Sequence, residues 1–507
     1  MKRYIILTAI ASLSFASCNK FLEEKPRSKL VAPLFYATPN QIKTAVDGAY
    51  QGLETPYVSV FLGLPLSEYW AMESLTGFSD NVFGTGPDET TYDRLDDIDP
   101  RNGYLLSTYR GIYAPLKSIN LAISKINATT VLDDATKSSY LGQLHFLRAW
   151  HYFHGVRVFG EMPLITEPIE GISNDQTQFP KAKIDRIYDQ IVSDLTTAET
   201  KALPWRDETG HVSMSAVKSL LAHVYITMAG FPLQKGNDYY NMAYEKSKEV
   251  INPGAGGTAI NLATNYADLR NPANNNRGEH IFQVQRSSTL SGAHNELPLG
   301  MVPLLNVPEP EQLSRNLVFE AALLPTNEFY ETYPDNDKRK QDRQFFLSFT
   351  DDDGVEKVMN YKFWDDAFHS TPSTRSGLNI WLIRYADVLL INAEAKARAD
   401  GGSTSDATAV KAYNDVHRRA IPTDPVAGTI TAEQVLKERF HELAFEYVSW
   451  FDMLRTRQTL NMETGNIVPL LGYKSPSHLR EFKESDLIQP LPTQARLLNP
   501  KLNEPAQ

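Results

Sequence analysis

The chain has 507 residues and a formal net charge of −11 at pH 7, with 61 acidic side chains against 50 basic ones. Because nucleic-acid binding depends largely on neutralising phosphates, this acidic balance argues against the nucleic-acid-binding classes. It also provides no electrostatic attraction to an anionic bilayer surface, so membrane attachment would need another cause. The length allows about two to four domains and a sizeable core.

The first 17 residues have the pattern of a bacterial lipoprotein signal peptide. Lys2 and Arg3 form a short positive segment, residues 4–13 are apolar, and small side chains precede Cys18. Cys18 is the only cysteine, so no intramolecular disulfide can form. An ordinary signal peptide followed by a chance cysteine is the alternative. We predict that residues 1–17 are removed and that Cys18 is lipidated.

Residues 18–39 show no sustained hydrophobic period and are predicted to form a lipidated tether. From about residue 40, apolar side chains recur at spacings of three and four, which is typical of amphipathic helices. The predicted helices in this part of the chain are 40–53, 104–127, 139–153, 183–203, 213–229 and 239–251. Their size and order predict antiparallel pairs that stack like tetratricopeptide units, although no clean repeat is present.

The character of the sequence changes between about residues 252 and 379. Gly, Pro, Asn and Ser cluster there around short strand-like runs such as 281–284, as is typical of functional loops. Helical spacing returns at 381–399, 407–419 and 431–455. We therefore predict a mainly α fold for residues 40–507. Its helical scaffold covers about 40–251 and 380–460, and its loop-rich insertion covers about 252–379.

The motifs of catalytic sites are incomplete in this sequence. His441-Glu442 begins like the helix of zinc proteases, but Phe445 stands where the second histidine ligand is required. Glu438-x-x-His441 matches half of a di-iron site, and the sequence has no second half. Serine-hydrolase, Walker and dinucleotide-binding motifs are absent as well. We predict that the protein is not an enzyme and binds no cofactor.

Three glutamates at 438, 442 and 446 are spaced to share one face of a helix. A glycosidase would need two carboxyl groups flanking a sugar, one of them with a raised pKa. Here Arg439 and Arg455 lie nearby, and arginine lowers the pKa of a carboxyl. We therefore predict that the three glutamates form buried ion pairs.

Two kinds of residue cluster raise the question of a metal site. His145, His151 and His154 could hold a metal, but they lie in an apolar helix without an obvious carboxylate partner, so we predict core packing and hydrogen bonding. The acidic runs 96–99 and 351–353 could hold calcium, but neither has EF-hand spacing. We predict solvated loops there, and no metal.

Five segments, in this order along the chain, resemble the SusD/RagB family of outer-membrane nutrient-binding lipoproteins. They are Cys18 with Glu23-Glu24 behind it, LHFLRAWHYFH at 144–154 with FGEMPL at 159–164, IRYADVLLINAEA at 383–395, ERFHELAFE at 438–446 with WFDMLR at 450–455, and LPT at 491–493 with Asn499-Pro500. Together the segments cover nearly the whole mature chain. Two departures are visible: Tyr447 stands where the family often has glycine, and the usual ending after Asn499 is missing.

The resemblance implies a SusD-like fold in which tetratricopeptide-like helix pairs carry irregular loops that bind a ligand. It implies a non-catalytic protein that is lipid-anchored in the outer membrane at the cell surface. Such a protein would bind oligosaccharides, or in some branches peptides, and deliver them to a SusC-like TonB-dependent transporter. A surface glycan hydrolase and a structural adaptor of the transporter are the alternatives.

Candidate ligand-binding residues follow from the chemistry of sugars, which requires an aromatic platform and a few planar polar groups. Trp150, Trp381 and Trp450 lie in or beside the family segments and are predicted to be core, which leaves Trp70, Trp205 and Trp364. The residues that we predict to contact a ligand are Trp70, Phe78, Asn81, Tyr92, Asn102, Tyr104, His294, Asn295 and Trp364. The alternative is that Trp70 and Phe78 pack under their own loop.

Overall fold

The computed structural model describes residues 36–57, 68–81, 87–169, 173–290, 293, 295, 297, 323–350, 354–365 and 376–507. The predicted signal peptide, the lipidation site Cys18 and nearly all of the predicted tether lie outside these residues. Within the part of the chain that is described, no helix combines the length and the apolar character needed to span a bilayer.

Helices make up most of the regular structure. In chain order they are α1 (Pro39–Ala49), α2 (Glu68–Ser74), α3 (Pro87–Asp93), α4 (Gly103–Ala128), α5 (Asp134–Phe159), α6 (Asn174–Thr177), α7 (Ile184–Glu199), α8 (Met214–Ala229), α9 (Asn237–Ile251), α10 (Tyr266–Leu269), α11 (Asn327–Glu331), α12 (Tyr385–Ala399), α13 (Ala407–Ala420), α14 (Ala432–Glu442), α15 (Ser449–Thr456) and α16 (Thr493–Leu498). Short 3-10 helices cover Tyr50–Tyr57, Pro272–Asn274, Glu484–Asp486 and Pro500–Asn503.

The strands are short and form antiparallel pairs. They are β1 (Ser79–Asn81), β2 (His280–Val284), β3 (Leu323–Pro325), β4 (Phe346–Thr350), β5 (Glu356–Asn360), β6 (Ile380–Arg384), β7 (Ser403–Thr404), β8 (Ile430–Thr431), β9 (Gln458–Leu460) and β10 (Ile467–Pro469). The pairs are β1 with β3, β2 with β6, β4 with β5, β7 with β8 and β9 with β10. The pairing of β1 with β3 therefore connects the N-terminal part of the fold to the predicted insertion.

The helix boundaries follow from local chemistry. The Thr38 side chain accepts a hydrogen bond from the backbone of Gln41, whose own side chain accepts from the backbone of Thr38, so a capping box begins α1. The C-terminal end of another helix, α5, is set by Gly160, which has a φ of 64°, a conformation that favours glycine. The start of α1 lies one residue from the predicted start, whereas α5 ends six residues after the predicted end at 153.

The scaffold helices pack in a continuous series. α4 packs on α5, α5 on α7, and α8 on α9, so neighbours in the sequence are neighbours in space. α9 then packs on α12, although the predicted insertion separates them in the sequence. The predicted mainly α fold with tetratricopeptide-like helix pairs is therefore confirmed, and one hydrophobic core runs through it.

Two of the predicted helices were wrong in detail. Residues 380–384 form β6, which pairs with β2, and the helix begins only at Tyr385. A short buried apolar run fits a strand or a helix equally well, so its spacing could not decide between them. The predicted helix 431–455 is also broken, because Phe445 and Tyr447 both have a φ of 63° and α14 ends at Glu442.

The predicted ion pairs of the three glutamates are confirmed. Arg339 Nη1 lies 2.7 Å from Glu438 Oε1 and 3.3 Å from Glu442 Oε2, and Arg384 Nη2 lies 2.5 Å from Glu446 Oε1. Burial raises the pKa of Glu438, but the charge of Arg339 outweighs it and holds that pKa well below its usual range. All three carboxyl groups are thus structural.

The arginines that pair with these glutamates differ from the predicted ones. Arg439 Nε lies 2.8 Å from Asp452 Oδ2, and Arg455 Nη2 lies 2.5 Å from Glu394 Oε2. These residues form a second buried group of charges between α12, α14 and α15. Because α14 ends at Glu442, residue 446 reaches its partners from the loop rather than from the predicted helix face.

Candidate ligand surface

The first group of predicted ligand residues lies around α2 and β1. Trp70 is 2% exposed and Phe78 is 1% exposed. The Phe78 ring stacks on Phe329, with centroids 4.3 Å apart, and meets Phe440 edge-on at 5.5 Å. Both rings therefore pack in the core, in agreement with the alternative prediction that Trp70 and Phe78 pack beneath their own loop rather than contact a ligand.

The other members of this group surround the start of α4. Asn102 is the N-cap of that helix: its side chain accepts from the Tyr104 backbone N–H at 2.9 Å. Tyr92 is buried, and its ring meets the half-buried ring of Tyr104 edge-on at 5.8 Å. Asn81 lies on β1 opposite Leu323. Of these residues, Tyr104 has the ring that reaches the surface.

The second group joins Trp364 and Asn295 through Ser376. Trp364 is buried and stacks on Tyr361 at 5.6 Å. The Asn295 backbone N–H donates to Ser376 O at 2.9 Å, and Ser376 Oγ donates to Asp365 Oδ2 at 2.6 Å. The predicted residue His294 lies outside the described residues. The structure thus brings the chain around Asn295 and the chain around Trp364 together.

Burial separates these predicted residues into two kinds. A ligand contact requires an exposed ring face or amide, whereas large aromatic side chains also contribute most to a core. The buried ones are Trp70, Phe78, Tyr92, Asn102, Asn295 and Trp364. We do not place these six side chains in the ligand surface. Ligand contact stays a prediction for Tyr104, Asn81 and His294.

A cluster of five carboxamide side chains lies where the β2–β6 pair ends. It consists of Asn275, Asn276, Gln283, Gln285 and Asn379, and we call it the carboxamide cluster. Asn276 Nδ2 donates to Gln285 Oε1 at 2.7 Å, and Asn379 Nδ2 donates to the same oxygen at 3.0 Å. Gln283 and Asn379 are buried, while Gln285 is exposed. The buried amides therefore hold an exposed one in a fixed orientation.

The carboxamide cluster was missed in the sequence analysis. Gln283 lies on β2 and Gln285 follows its last residue, two positions later, so the alternation of an extended chain places them on one side. The Asn274-Asn275-Asn276 run also pointed to this region. Asn379 lies on another part of the chain, and its contact with the strand depends on the β2–β6 pairing, which was not predicted.

Asp80 provides an ionisable group near the first set of predicted residues. Burial, together with the negative charge of Glu328, raises the pKa of Asp80 to about 6, although a hydrogen bond with Ser477 opposes the shift. The side chain is half-buried on β1, next to Asn81. It can therefore donate or accept a hydrogen bond near neutral pH.

Tyr447 connects helix α2 to the helices of the scaffold. Its hydroxyl donates to Glu68 Oε1 at 2.6 Å, and its backbone N–H donates to Glu73 Oε1 at 2.7 Å. The residue has a φ of 63°, in the left-handed region that favours glycine. This explains why the family often has glycine here. It also shows what tyrosine adds, namely a hydrogen bond to a buried carboxyl group.

The three histidines considered as metal ligands have separate roles. His145 Nδ1 lies 2.7 Å from Asp194 Oδ1, and His154 Nε2 lies 3.0 Å from Glu68 Oε1. These carboxylate partners were not foreseen from the sequence. Burial lowers the pKa of His151 to about 3, so that ring is neutral. Over the described residues, no group of three or more potential ligands is arranged to hold a metal ion.

Comparison with known proteins identifies the family. Residues 348–506 match the SusD family, and residues 20–226 match the family described as starch-binding associating with outer membrane. A SusD superfamily protein from Parabacteroides distasonis ATCC 8503 has 30% sequence identity, and its structure superposes with a TM-score of 0.80 over 94% of this chain and 99% of that chain. The chain belongs to the SusD family.

Two other solved structures of the same fold contain sugars. Surface glycan-binding protein A from Bacteroides thetaiotaomicron, in complex with laminarihexaose, is 18% identical over 90% of this chain and 97% of that chain, with a TM-score of 0.71. A structure with a xylogluco-oligosaccharide is also 18% identical, over 91% of this chain and 98% of that chain, with a TM-score of 0.70. At this identity the likeness shows the fold.

Proposed function

We propose that this SusD-family protein binds a neutral oligosaccharide at the cell surface and that the carboxamide cluster forms part of its ligand surface. The observation that carries the proposal is the exposed amide of Gln285, fixed by Asn276 and Asn379. Gln285 Nε2 also donates to Asn276 Oδ1 at 3.1 Å and to Gln283 O at 2.9 Å, so the hydrogen-bonding positions of this amide are used within the cluster. The exposed planar face of the amide is therefore the part that a sugar ring can contact.

Charge also supports a neutral ligand. The carboxamide cluster contains no ionisable side chain, and its nearest charged neighbours are paired with each other: Arg277 Nη2 lies 2.8 Å from Glu208 Oε2. Arg286 Nη1 lies 2.7 Å from Glu54 Oε2. A charged ligand would have to compete with these pairs. Two SusD-like proteins of the same fold were crystallised with laminarihexaose and with a xylogluco-oligosaccharide, which supports the same ligand class.

We further infer that Cys18 is lipidated and anchors the protein in the outer membrane. In this proposal the ligand passes to a SusC-like TonB-dependent transporter, and the protein itself does not cleave it. The matched family description, which includes association with the outer membrane, supports the location. A peptide ligand is the alternative within the family, and the binding experiment distinguishes the two.

The test is a calorimetric titration against laminarihexaose, a xylogluco-oligosaccharide and a panel of other neutral oligosaccharides and peptides. Gln285→Ala removes the planar face of this amide and the side chain that fixes Asn276 and Asn379, and a loss of about 1.4 kcal/mol of binding energy would lower affinity for the bound sugar about tenfold. Gln494→Ala, another exposed glutamine, is the matched control and should leave affinity unchanged. Peptide binding without sugar binding, or release of reducing sugar, would contradict the proposal.

A further inference from the structure

A groove of about 350 Å³ lies beside Trp205, on the connection between α7 and α8. Its lining includes Lys218 of α8, Glu249 of α9, and Asn252 and Gly254, which follow α9. Trp205 is half-buried, and Asn252 and Gly254 are exposed. The groove has the size of small-ligand sites and combines one aromatic ring with several polar groups.

The Trp205 side chain is held in a fixed position. Its Nε1–H donates to Thr258 O at 2.8 Å, and its backbone carbonyl accepts from the Ser215 N–H at 3.1 Å. Gly257, which also lines the groove, lies against the ring: a Cβ there would come within 3.3 Å of two ring atoms. A ring that is supported on one side and fixed at its edge is a pre-organised platform, which lowers the entropic cost of binding.

The charges beside the groove cancel. Lys218 Nζ lies 2.5 Å from Glu199 Oε1, and Lys246 Nζ lies 2.8 Å from the same oxygen. Both lysines also pair with Glu249. Two lysines therefore face two glutamates, and a charged ligand would have to separate these pairs. A ligand with hydroxyl groups can instead hydrogen-bond to the outer side of the paired groups, to Asn252 and to the open backbone of 254–257.

We propose that this groove, which we call the Trp205 groove, is a second binding site for a neutral oligosaccharide. The inference rests on the proposed function for the ligand class but not for the location. The CH-rich face of one sugar ring would stack on Trp205, while Lys218, Glu249 and Asn252 would bind its hydroxyl groups. The site would hold a short segment of one sugar chain.

The Trp205 groove and the carboxamide cluster are connected by one loop, residues 205–211. Asn276 Nδ2 of the cluster donates to Glu208 O at 3.3 Å, and Gly210 packs directly on the side chain of Gln285. Both sites thus contact the same loop. One polysaccharide chain that occupies both sites would bind more tightly than either site alone permits, because the second contact is intramolecular.

The test uses the full mature protein labelled with 5-fluorotryptophan, which gives one ¹⁹F resonance for each of the six tryptophans. Trp205→Phe assigns the resonance of residue 205. On titration with laminarihexaose, a xylogluco-oligosaccharide and the other neutral oligosaccharides, we expect this resonance to shift saturably. It should still do so in Gln285→Ala, because the groove is a separate site.

A blocking variant provides the matched comparison. Gly254 has no atom within 4 Å of an added Cβ, so Gly254→Leu should fill the groove without disturbing the fold. The shift should disappear in this variant but persist in Gly48→Leu, an equally open glycine on α1. Equal melting temperatures of the two variants exclude a folding defect.

The outcomes separate the two proposals. If a sugar binds by calorimetry but the Trp205 resonance does not move, or moves equally in Gly254→Leu, the second site is overturned and the proposed function stands. If no neutral sugar of the panel binds wild-type protein by either method, both are overturned. A saturable shift that Gly254→Leu abolishes supports the second site.

Discussion

The helical scaffold and the carboxamide cluster use polar side chains in opposite ways. The scaffold buries full charges, such as Arg339 against Glu438 and Glu442, with both sides of each pair inaccessible to solvent. The carboxamide cluster contains only neutral amides and presents Gln285 to solvent. Buried ion pairs specify one arrangement of helices, whereas the exposed planar face of the Gln285 amide can still contact a ligand. Polar residues in this fold therefore indicate function only where they reach the surface.

The largest expected effect is the loss of a charge from the scaffold. Arg339→Met leaves Asp337, Glu438 and Glu442 without their shared partner, so the free energy of unfolding should fall by about 3–5 kcal/mol in urea titrations. Lys411→Met breaks an exposed pair with Asp415 and should cost less than about 0.5 kcal/mol. Equal losses in the two variants would contradict the distinction between buried and exposed charges.

A buried acid with a raised pKa should give the scaffold a pH dependence. Burial raises the pKa of Glu73 from its ordinary value of 4.5 to about 8. Because the native state binds this proton more tightly, the stability that the neutral group provides is complete below pH 4.5 and is lost as the pH rises through about 8. Glu73→Gln removes the titration.

The measurement is urea unfolding of the wild-type protein and of Glu73→Gln from pH 5 to pH 9. The stability of Glu73→Gln relative to wild type should rise over this range by on the order of 2–4 kcal/mol. Glu245→Gln, at an exposed position of α9, is the matched control. A constant difference for Glu73→Gln would show that Glu73 is ionised in the native protein.

A smaller effect concerns the connection between α2 and the scaffold. Tyr447→Phe removes the hydroxyl that donates to Glu68, and a hydrogen bond to a charged group is worth about 1.5–3 kcal/mol. The melting temperature should fall accordingly. Tyr239→Phe is the control, since that hydroxyl makes no hydrogen bond within the described residues, and it should change stability by less than about 0.5 kcal/mol. If Tyr447→Phe still binds sugar with unchanged affinity, the hydrogen bond between Tyr447 and Glu68 supports stability and not ligand binding.

The sequence predicted the scaffold better than the ligand surface. Helices such as α4 and α8 follow from the spacing of apolar residues alone, and the ion pairing of Glu438 followed from arginine-rich surroundings. The identity of its partner did not, because Arg339 is 99 positions away in the chain. Spacing within one element carries no information about which distant element packs against it.

The same limit explains the predicted ligand residues. Trp70 and Trp364 have aromatic rings on which a sugar could stack, but the residue type alone does not show whether such a ring is exposed or in the core. Both rings are buried. The carboxamide cluster shows the converse. Its glutamines are ordinary in the sequence, and they become a candidate site only when β6 brings Asn379 beside them.

The central claim is that a neutral sugar binds to the exposed amides of a scaffold whose charges are buried. The most direct measurement is the affinity of wild-type protein and Gln285→Ala for the best-bound neutral oligosaccharide, at low and at high salt. The account predicts an affinity that is independent of salt and about tenfold weaker in the variant. An affinity that falls steeply with salt, or that Gln285→Ala leaves unchanged, would contradict it.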